Sequence, residues 1–371
     1  MRRCPSVTRP YRDFSRVPLL VFWEVTQACL LQCTHCRADA QFHADPEELT
    51  EEEGYALLRD IAELDRPLLI LSGGDPLMRA DIFRLTSYAK ELGLPVALTP
   101  SATPKLTPDK IRQALESGVK SFALSLDASN EKAHDRFRGT PGSYKRTLNA
   151  LTAMRALGAP VQINTTVSRY NVAMLEEMAD LLSGLDIQVW SLFFLVPTGR
   201  ASQDLMLSAE ETEAVFARLY RLEKKVPFII KTTEAPHYRR FQLISRTREK
   251  GEALSTLFTT IEKGILPQGR MPRTRDGNGV LFISHRGDIY PSGFLPIRAG
   301  NVRQDKLADI YRHHPLFQTL RDPDQFYGKC SVCEFRKLCG GSRARAYAVT
   351  GDVLSAEPTC LYQPRALSGA V

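Results

Sequence analysis

No stretch of this 371-residue chain approaches the roughly twenty consecutive apolar residues that a membrane-spanning helix needs, so no such helix is expected. The opening Met1-Arg-Arg-Cys-Pro5 lacks the apolar core of a secretory signal, which points to the cytoplasm. The net charge of +7 is a modest excess, and no basic run is interleaved with aromatics, so nucleic acid is not an expected partner. Cysteine is sparse at eight residues, yet seven of them fall in two groups, with Cys4 left over. Thiols kept for a metal would be lost to disulfides in an oxidising compartment, which again favours the cytoplasm. With 43% hydrophobic residues, the chain is long enough for one large core and an appendage.

The first group is Cys29, Cys33 and Cys36, in the string Cys-Leu-Leu-Gln-Cys-Thr-His-Cys. Three soft thiolates at this spacing suit a four-iron, four-sulfur cube and leave one iron without a protein ligand, open for chemistry. Residues 19–25, just before, form an apolar, β-branched run that reads as a buried strand, so the cysteine loop sits at a strand's C-terminal end. A structural zinc site of three cysteines with His35 or His43 is the alternative at this point. Gly73, Gly74, Asp75 and Pro76 follow a second apolar run at 68–71. Glycine lets backbone approach a ligand closely, and strand-end backbone groups stay unpaired until a ligand fills them.

This pairing of motifs resembles the radical S-adenosylmethionine (radical SAM) enzymes. The resemblance implies that the open iron chelates S-adenosylmethionine (AdoMet) and that the Gly73–Pro76 loop binds its methionine amino group. The family more often has Glu where Asp75 stands. His35 is expected as a ring packed near the nucleoside.

The second group, Cys330, Cys333, Cys339 and Cys360, supplies four thiolates, enough to close a site for zinc or for an auxiliary iron-sulfur cluster. It resembles the SPASM or twitch extensions of radical SAM enzymes, which implies an auxiliary [4Fe-4S] cluster. Ser292 and Arg343 stand where the full pattern has two further cysteines, so one auxiliary cluster is expected, and two clusters in all.

Strand and helix patterns alternate along the chain. Thr50 with Glu53 and Ser208 with Glu211 form capping boxes, and Thr107-Pro108 opens a helix that ends at Gly118. Strands are expected at 68–71, 95–99, 121–126, 161–167 and 187–196, with helices at 79–92, 143–157 and 172–182. Six βα units with right-handed crossovers make a parallel sheet, which the resemblance curves into a partial TIM-like barrel of α/β class. The expected divisions are an N-terminal arm (1–18), the barrel (19–230), a basic connecting segment (231–279) and an auxiliary-cluster domain (280–371). Strand ends nominate ligand contacts at Ser125, Asp127, Asn164, Thr166, Pro197 and Gly199, with Arg138 placed to pair with a carboxylate. By position, the resemblance gives these residues to AdoMet.

Segment 231–275 breaks the alternation and is rich in Lys and Arg, either as a solvated face or as a wall that binds a carboxylate-rich substrate. His237, Tyr238, Arg239 and Arg240 are its candidate substrate contacts. The strings from Cys339-Gly-Gly-Ser-Arg-Ala-Arg and from Phe282-Ile-Ser-His285 resemble the tetrapyrrole branch, the haem and haem d1 biosynthesis proteins; peptide maturases carry a related string. The resemblance implies reductive cleavage of AdoMet to a 5′-deoxyadenosyl radical. That radical would take hydrogen from a peripheral carboxylated side chain of a tetrapyrrole, which then loses the chain or its carboxylate. The electron supply would be an external donor such as a flavodoxin or ferredoxin. Peptide maturation is the first alternative, although only about eighteen residues precede the first strand, too few for a packed peptide-recognition domain. A non-catalytic iron-sulfur or zinc redox sensor is the second.

Overall fold

The computed structural model describes residues 12–263 and 274–367. Cys4, and Arg270 and Arg273 of the basic stretch, lie outside the described residues. Seven strands run parallel in chain order: β1 (Leu20–Glu24), β2 (Leu68–Ser72), β3 (Val96–Leu98), β4 (Val119–Ser125), β5 (Val161–Val167), β6 (Val189–Phe194) and β7 (Ile229–Thr233). The helices between them are α1 (Glu51–Ala62), α2 (Ile82–Glu91), α3 (Pro108–Ser117), α4 (Glu131–Arg138), α5 (Ser143–Ala156), α6 (Leu175–Ser183) and α7 (Ala209–Leu222). After β7 come α8 (Tyr238–Glu249) and α9 (Leu254–Glu262).

Local chemistry sets these boundaries. Both capping boxes form: Glu53 N bonds Thr50 Oγ1 at 3.2 Å while Thr50 N bonds Glu53 Oε2 at 2.8 Å, and Ser208 with Glu211 repeats the exchange. Thr107 accepts from Lys110 N, Pro108 opens α3, and Gly118, at φ +116°, ends it. The helix expected at 79–92 starts later, because Pro76–Met78 forms a 3-10 turn capped by Asp75. Helix α1 packs flat on the sheet because Gly54 leaves room: a Cβ there would lie 2.9 Å from the fully buried Trp23.

The chain differs from the sequence-based expectation after α7. The basic stretch does not end the alternation but carries a seventh βα unit, and β7 crosses the boundary expected at residue 230. Its Ile-Ile-Lys-Thr-Thr has only two apolar residues because one face meets a polar lumen. The strands β8 (Val280–Ile283), β9 (Asp288–Tyr290) and β10 (Gly300–Asn301) then join the same sheet, with β8 parallel to β1. Strand order is β10-β9-β8-β1-β2-β3-β4-β5-β6-β7, so β7 and β10 are the two open edges. The remaining helices are α10 (Leu307–His313), α11 (Pro315–Arg321) and α12 (Arg343–Thr350).

Side-chain alternation separates two faces. Along β5, Val161, Ile163, Thr165 and Val167 are buried, and Gln162, Asn164 and Thr166 are partly exposed. The first set joins Trp23, Leu71, Leu124, Trp190 and Phe216 in the main core beneath the helices. The second set faces the lumen. Register aligns Ser125 with Asn164, Asn164 with Ser191 and Ser191 with Lys231, a polar row across four strands. Among the described residues, no helix is long and apolar enough to cross a membrane.

Candidate functional site

The cysteine loop is gripped by loops at the C-terminal ends of three other strands. From β2, Gly74 N bonds Thr26 O at 2.8 Å and Asp75 N bonds Ala28 O at 2.7 Å. A Cβ on Gly74 would stand 2.3 Å from Ala28 O, and Gly73 adopts φ +148°, so both positions require glycine. From α4, after β4, Phe137 O accepts from Thr34 N, and a Cβ on Gly139 would fall 2.2 Å from Gln32 O. From the end of β6, Gly199 packs its Cα against Cys36 O and Arg37 O, while Arg200 Nε donates to Cys33 O at 3.0 Å and its Nη1 to Ala40 O at 3.1 Å. Gly199 therefore shapes the loop, with Pro197 partly exposed beside it.

Cys29 and Cys33 are buried and Cys36 is partly exposed. Each sulfur receives a donor: Leu31 N at 3.3 Å on Cys29, Arg138 Nη1 at 3.5 Å on Cys33, and Ala40 N at 3.4 Å on Cys36. Burial pushes the Cys29 thiol up to about 11, so a metal must displace its proton to bind there. Asp75 is fully buried, with its carboxylate on Thr103 Oγ1 at 2.8 Å, Leu77 N and Ser101 N, and burial raises its pKa. It braces two loops with its side chain, and only the loop's backbone remains to meet a ligand.

Arg138 ends α4, a helix too charged to stand out in the sequence. Its Nε lies 2.8 Å from Asp127 Oδ2, and Asp127 Oδ1 accepts from Thr166 N at 2.8 Å. A continuous chain thus runs from Cys33 through Arg138 and Asp127 to β5. Arg138 is committed to Asp127 and to sulfur, which makes it a brace for the site. Ser125, Asn164 and Thr166 face the lumen, with Asn164 Oδ1 held by Gln162 Nε2 at 2.7 Å. The His35 ring stacks on Phe137 at 4.0 Å, and Phe137 stacks on Tyr170 at 5.0 Å. Burial, with Arg138 and Arg200 close by, holds the His35 pKa well below its usual value, so the ring is neutral.

Cys330, Cys333, Cys339 and Cys360 line one cavity. Gly341 N donates to Cys339 Sγ at 3.3 Å and Glu357 N to Cys330 Sγ at 3.5 Å. Burial pushes Cys333 up to about 12 and raises Cys339 and Cys360 as well. Among the described residues, no three His, Cys, Asp or Glu side chains converge closely enough to hold one metal ion. Four thiols spread around a cavity fit a cluster, which is larger than an ion.

The Gly-Gly-Ser-Arg-Ala-Arg string has a structural reason. Gly340 and Gly341 adopt φ +72° and +66°, and Ser342 N reaches Glu357 Oε2 at 2.6 Å. Arg343 and Arg345 are fully buried: Arg343 bonds Val353 O and Ser355 O, and Arg345 joins Glu357 to the Phe194 and Leu195 carbonyls at the end of β6. Only the buried Ala344 and Ala346 that alternate with these arginines hint at this in the sequence.

The candidate substrate contacts are placed elsewhere than on a cationic wall. His237 and Arg240 line the four-cysteine cavity, and Arg240 is paired with Glu213. Tyr238 is buried against Phe216 with its hydroxyl on Glu223, and Arg239 donates to Leu338 O and Thr274 O. Helix α8 turns these residues inward, against the C-terminal segment.

Sequence comparison agrees with the geometry. Residues 23–182 match the radical SAM superfamily, and residues 275–334 match an iron-sulfur cluster-binding domain. The AdoMet-dependent heme synthase of Methanosarcina barkeri is 37% identical over 350 residues, covering 94% of this chain and 98% of that protein. The enzyme of the same name from Oleidesulfovibrio alaskensis is 38% identical over 362 residues, covering 97% and 91%. Among solved structures, Streptococcus suis SuiB bound to S-adenosylmethionine superposes with a TM-score of 0.70 at 16% identity, covering 94% and 78%, a likeness of fold. With an AdoMet-cluster barrel joined to an auxiliary iron-sulfur domain, the chain belongs to the radical SAM superfamily, in the family of the AdoMet-dependent heme synthases.

Proposed function

We propose that this protein removes carboxylate from peripheral side chains of a tetrapyrrole in haem biosynthesis, using AdoMet as the radical source. The reading rests on likeness to haem synthases along nearly the whole chain. What supports it within this chain is Lys231, on the lumen face of β7 beside Ser191 and Asn164. No carboxylate among the described residues acts on it, and burial together with Arg239 lowers its pKa. Lys231 is partly exposed to the lumen, and a substrate carboxylate would complete the ion pair there.

Cys29, Cys33 and Cys36 would hold the [4Fe-4S] cluster that binds AdoMet, beside the Gly73–Pro76 backbone, Ser125, Asp127, Asn164 and Thr166. When bound, that pair supplies a carbon radical that abstracts hydrogen from the substrate. The protein orients both reactants and excludes water. Cys330, Cys333, Cys339 and Cys360 would hold one auxiliary cluster, suited to accept the electron that decarboxylation releases. An external redox protein such as a flavodoxin or ferredoxin would supply reducing electrons, and thiol chemistry of this kind suits the cytoplasm.

The deciding experiment is anaerobic incubation of the reconstituted enzyme with AdoMet, reductant and iron coproporphyrin. Substrate-dependent 5′-deoxyadenosine together with a decarboxylated porphyrin is the expected outcome. An enzyme that cleaves AdoMet yet leaves the porphyrin intact, while altering a sirohaem derivative or a peptide, overturns the substrate assignment.

A further inference from the structure

The first turn of α8 presents three buried side-chain nitrogens, two on His237 and one on Arg240, that lack a well-formed hydrogen bond. His237, at the helix N-terminus, is 1% exposed, and neither Nδ1 nor Nε2 makes a well-formed hydrogen bond; the Thr359 backbone lies near the ring and acts to raise its pKa. Arg240 follows three residues later on the same helix face. Its terminal nitrogens are held by Glu213 at 2.7 and 2.5 Å, while its Nε is buried without a partner.

Both residues line the cavity of Cys330, Cys333, Cys339 and Cys360. Phe216 covers the His237 ring edge-on at 4.8 Å. Burial pushes the imidazole pKa down to about 3, so the ring is neutral and carries one N–H. Buried donors are rarely left unpaired, and the acceptors that four cysteines bring into this cavity are sulfurs.

We propose that the His237 ring N–H, seconded by Arg240 Nε, donates a hydrogen bond to a sulfur of the cluster held by the four cysteines and thereby sets its reduction potential. His237 is a positioning residue with no role in cluster ligation. Hydrogen bonds to sulfur stabilise the more negatively charged, reduced cluster, so they raise its potential. This inference concerns the auxiliary cluster alone and does not depend on which substrate the barrel takes.

The test is a redox titration of the fully loaded enzyme followed by EPR, with AdoMet added to move the signal of the open cluster away from that of the four-cysteine one. In His237→Phe the one-electron equilibrium shifts about tenfold toward the oxidised form, ~59 mV to lower potential, at unchanged iron content. His237→Gln keeps an N–H and restores most of the wild-type potential. Wild-type enzyme labelled with heavy nitrogen in histidine shows a weak nitrogen coupling to the reduced cluster. An unchanged potential in iron-replete His237→Phe overturns the proposal. So does a labelled wild type with no coupling, or with one as strong as an iron ligand gives. If His237→Phe loses its cluster, the labelled wild type decides alone.

Discussion

His285 Nδ1 stands 2.8 Å from Glu24 Oε1, which joins the turn after β8 to the last residue of β1. The other oxygen of Glu24 is taken by Arg37, the residue after Cys36, whose guanidinium lies 4.6 Å from the centre of the Phe282 ring and donates to Gly293 O at 3.1 Å. One buried carboxylate thus ties the cysteine loop to the C-terminal segment.

This tie makes stability depend on pH. Burial opposes the charged form of His285, but the hydrogen bond and charge of Glu24 outweigh it and raise the histidine pKa. The stabilisation is complete below the unfolded value near 6.5 and is lost as pH rises through the raised folded value. The unfolding midpoint of the wild type should therefore fall more steeply from pH 6 to pH 9 than that of His285→Gln. Parallel profiles in the two proteins would contradict the assignment.

Replacing Cys29, Cys33 or Cys36 with Ala should abolish 5′-deoxyadenosine formation and lower iron from about eight to about four atoms per chain. Chromatography and metal analysis read the two effects separately, and retained cleavage would refute the ligand assignment.

Cys339→Ala or Cys360→Ala should also halve the iron, yet leave reductive AdoMet cleavage measurable without substrate. The barrel site draws no ligand from these cysteines, so decarboxylation fails while the cofactor chemistry survives. Iron analysis with a single-turnover assay distinguishes this outcome from general unfolding.

Lys231→Met should weaken porphyrin binding about tenfold, an effect of ~1.4 kcal/mol, near the lower end of what a hydrogen bond to a charged group contributes. AdoMet affinity should not change. Titration of porphyrin absorbance checks the first and equilibrium dialysis the second; equal loss of both would place Lys231 in the cofactor site.

Gly74→Ala should cost about 1–3 kcal/mol or prevent cluster loading, because its methyl group would stand 2.3 Å from Ala28 O. Denaturant unfolding and iron content measure the effect, and a fully loaded, equally stable variant would show that the loop is less tightly held.

Much of this architecture was legible in the sequence where local chemistry acts alone. Capping residues at Thr50, Thr107 and Ser208 and the strict alternation along β5 mark their elements without tertiary help. Both cysteine groups were legible because metal ligation fixes spacing. β7 was hidden because its lumen face is polar, and α4 because its single buried stripe is His134 and Phe137. Arginines were the least legible: Arg240 reads as a substrate contact and instead pairs with Glu213, while nothing in the sequence shows that Arg343 and Arg345 are buried against carbonyls, a carboxylate and a ring. Sequence shows a charge but not its partner when that partner lies in another element.

Strand β1 occupies an interior position, flanked by β2 on one side and by β8 on the other. The first neighbour is synthesised soon after it, but the second emerges only in the last quarter of the chain. During translation one margin of β1 consequently waits with its backbone amides unclaimed, an adhesive border for any extended peptide nearby. A product truncated before residue 280 would keep that border permanently, and should be found in inclusion bodies even though most of its barrel strands are present.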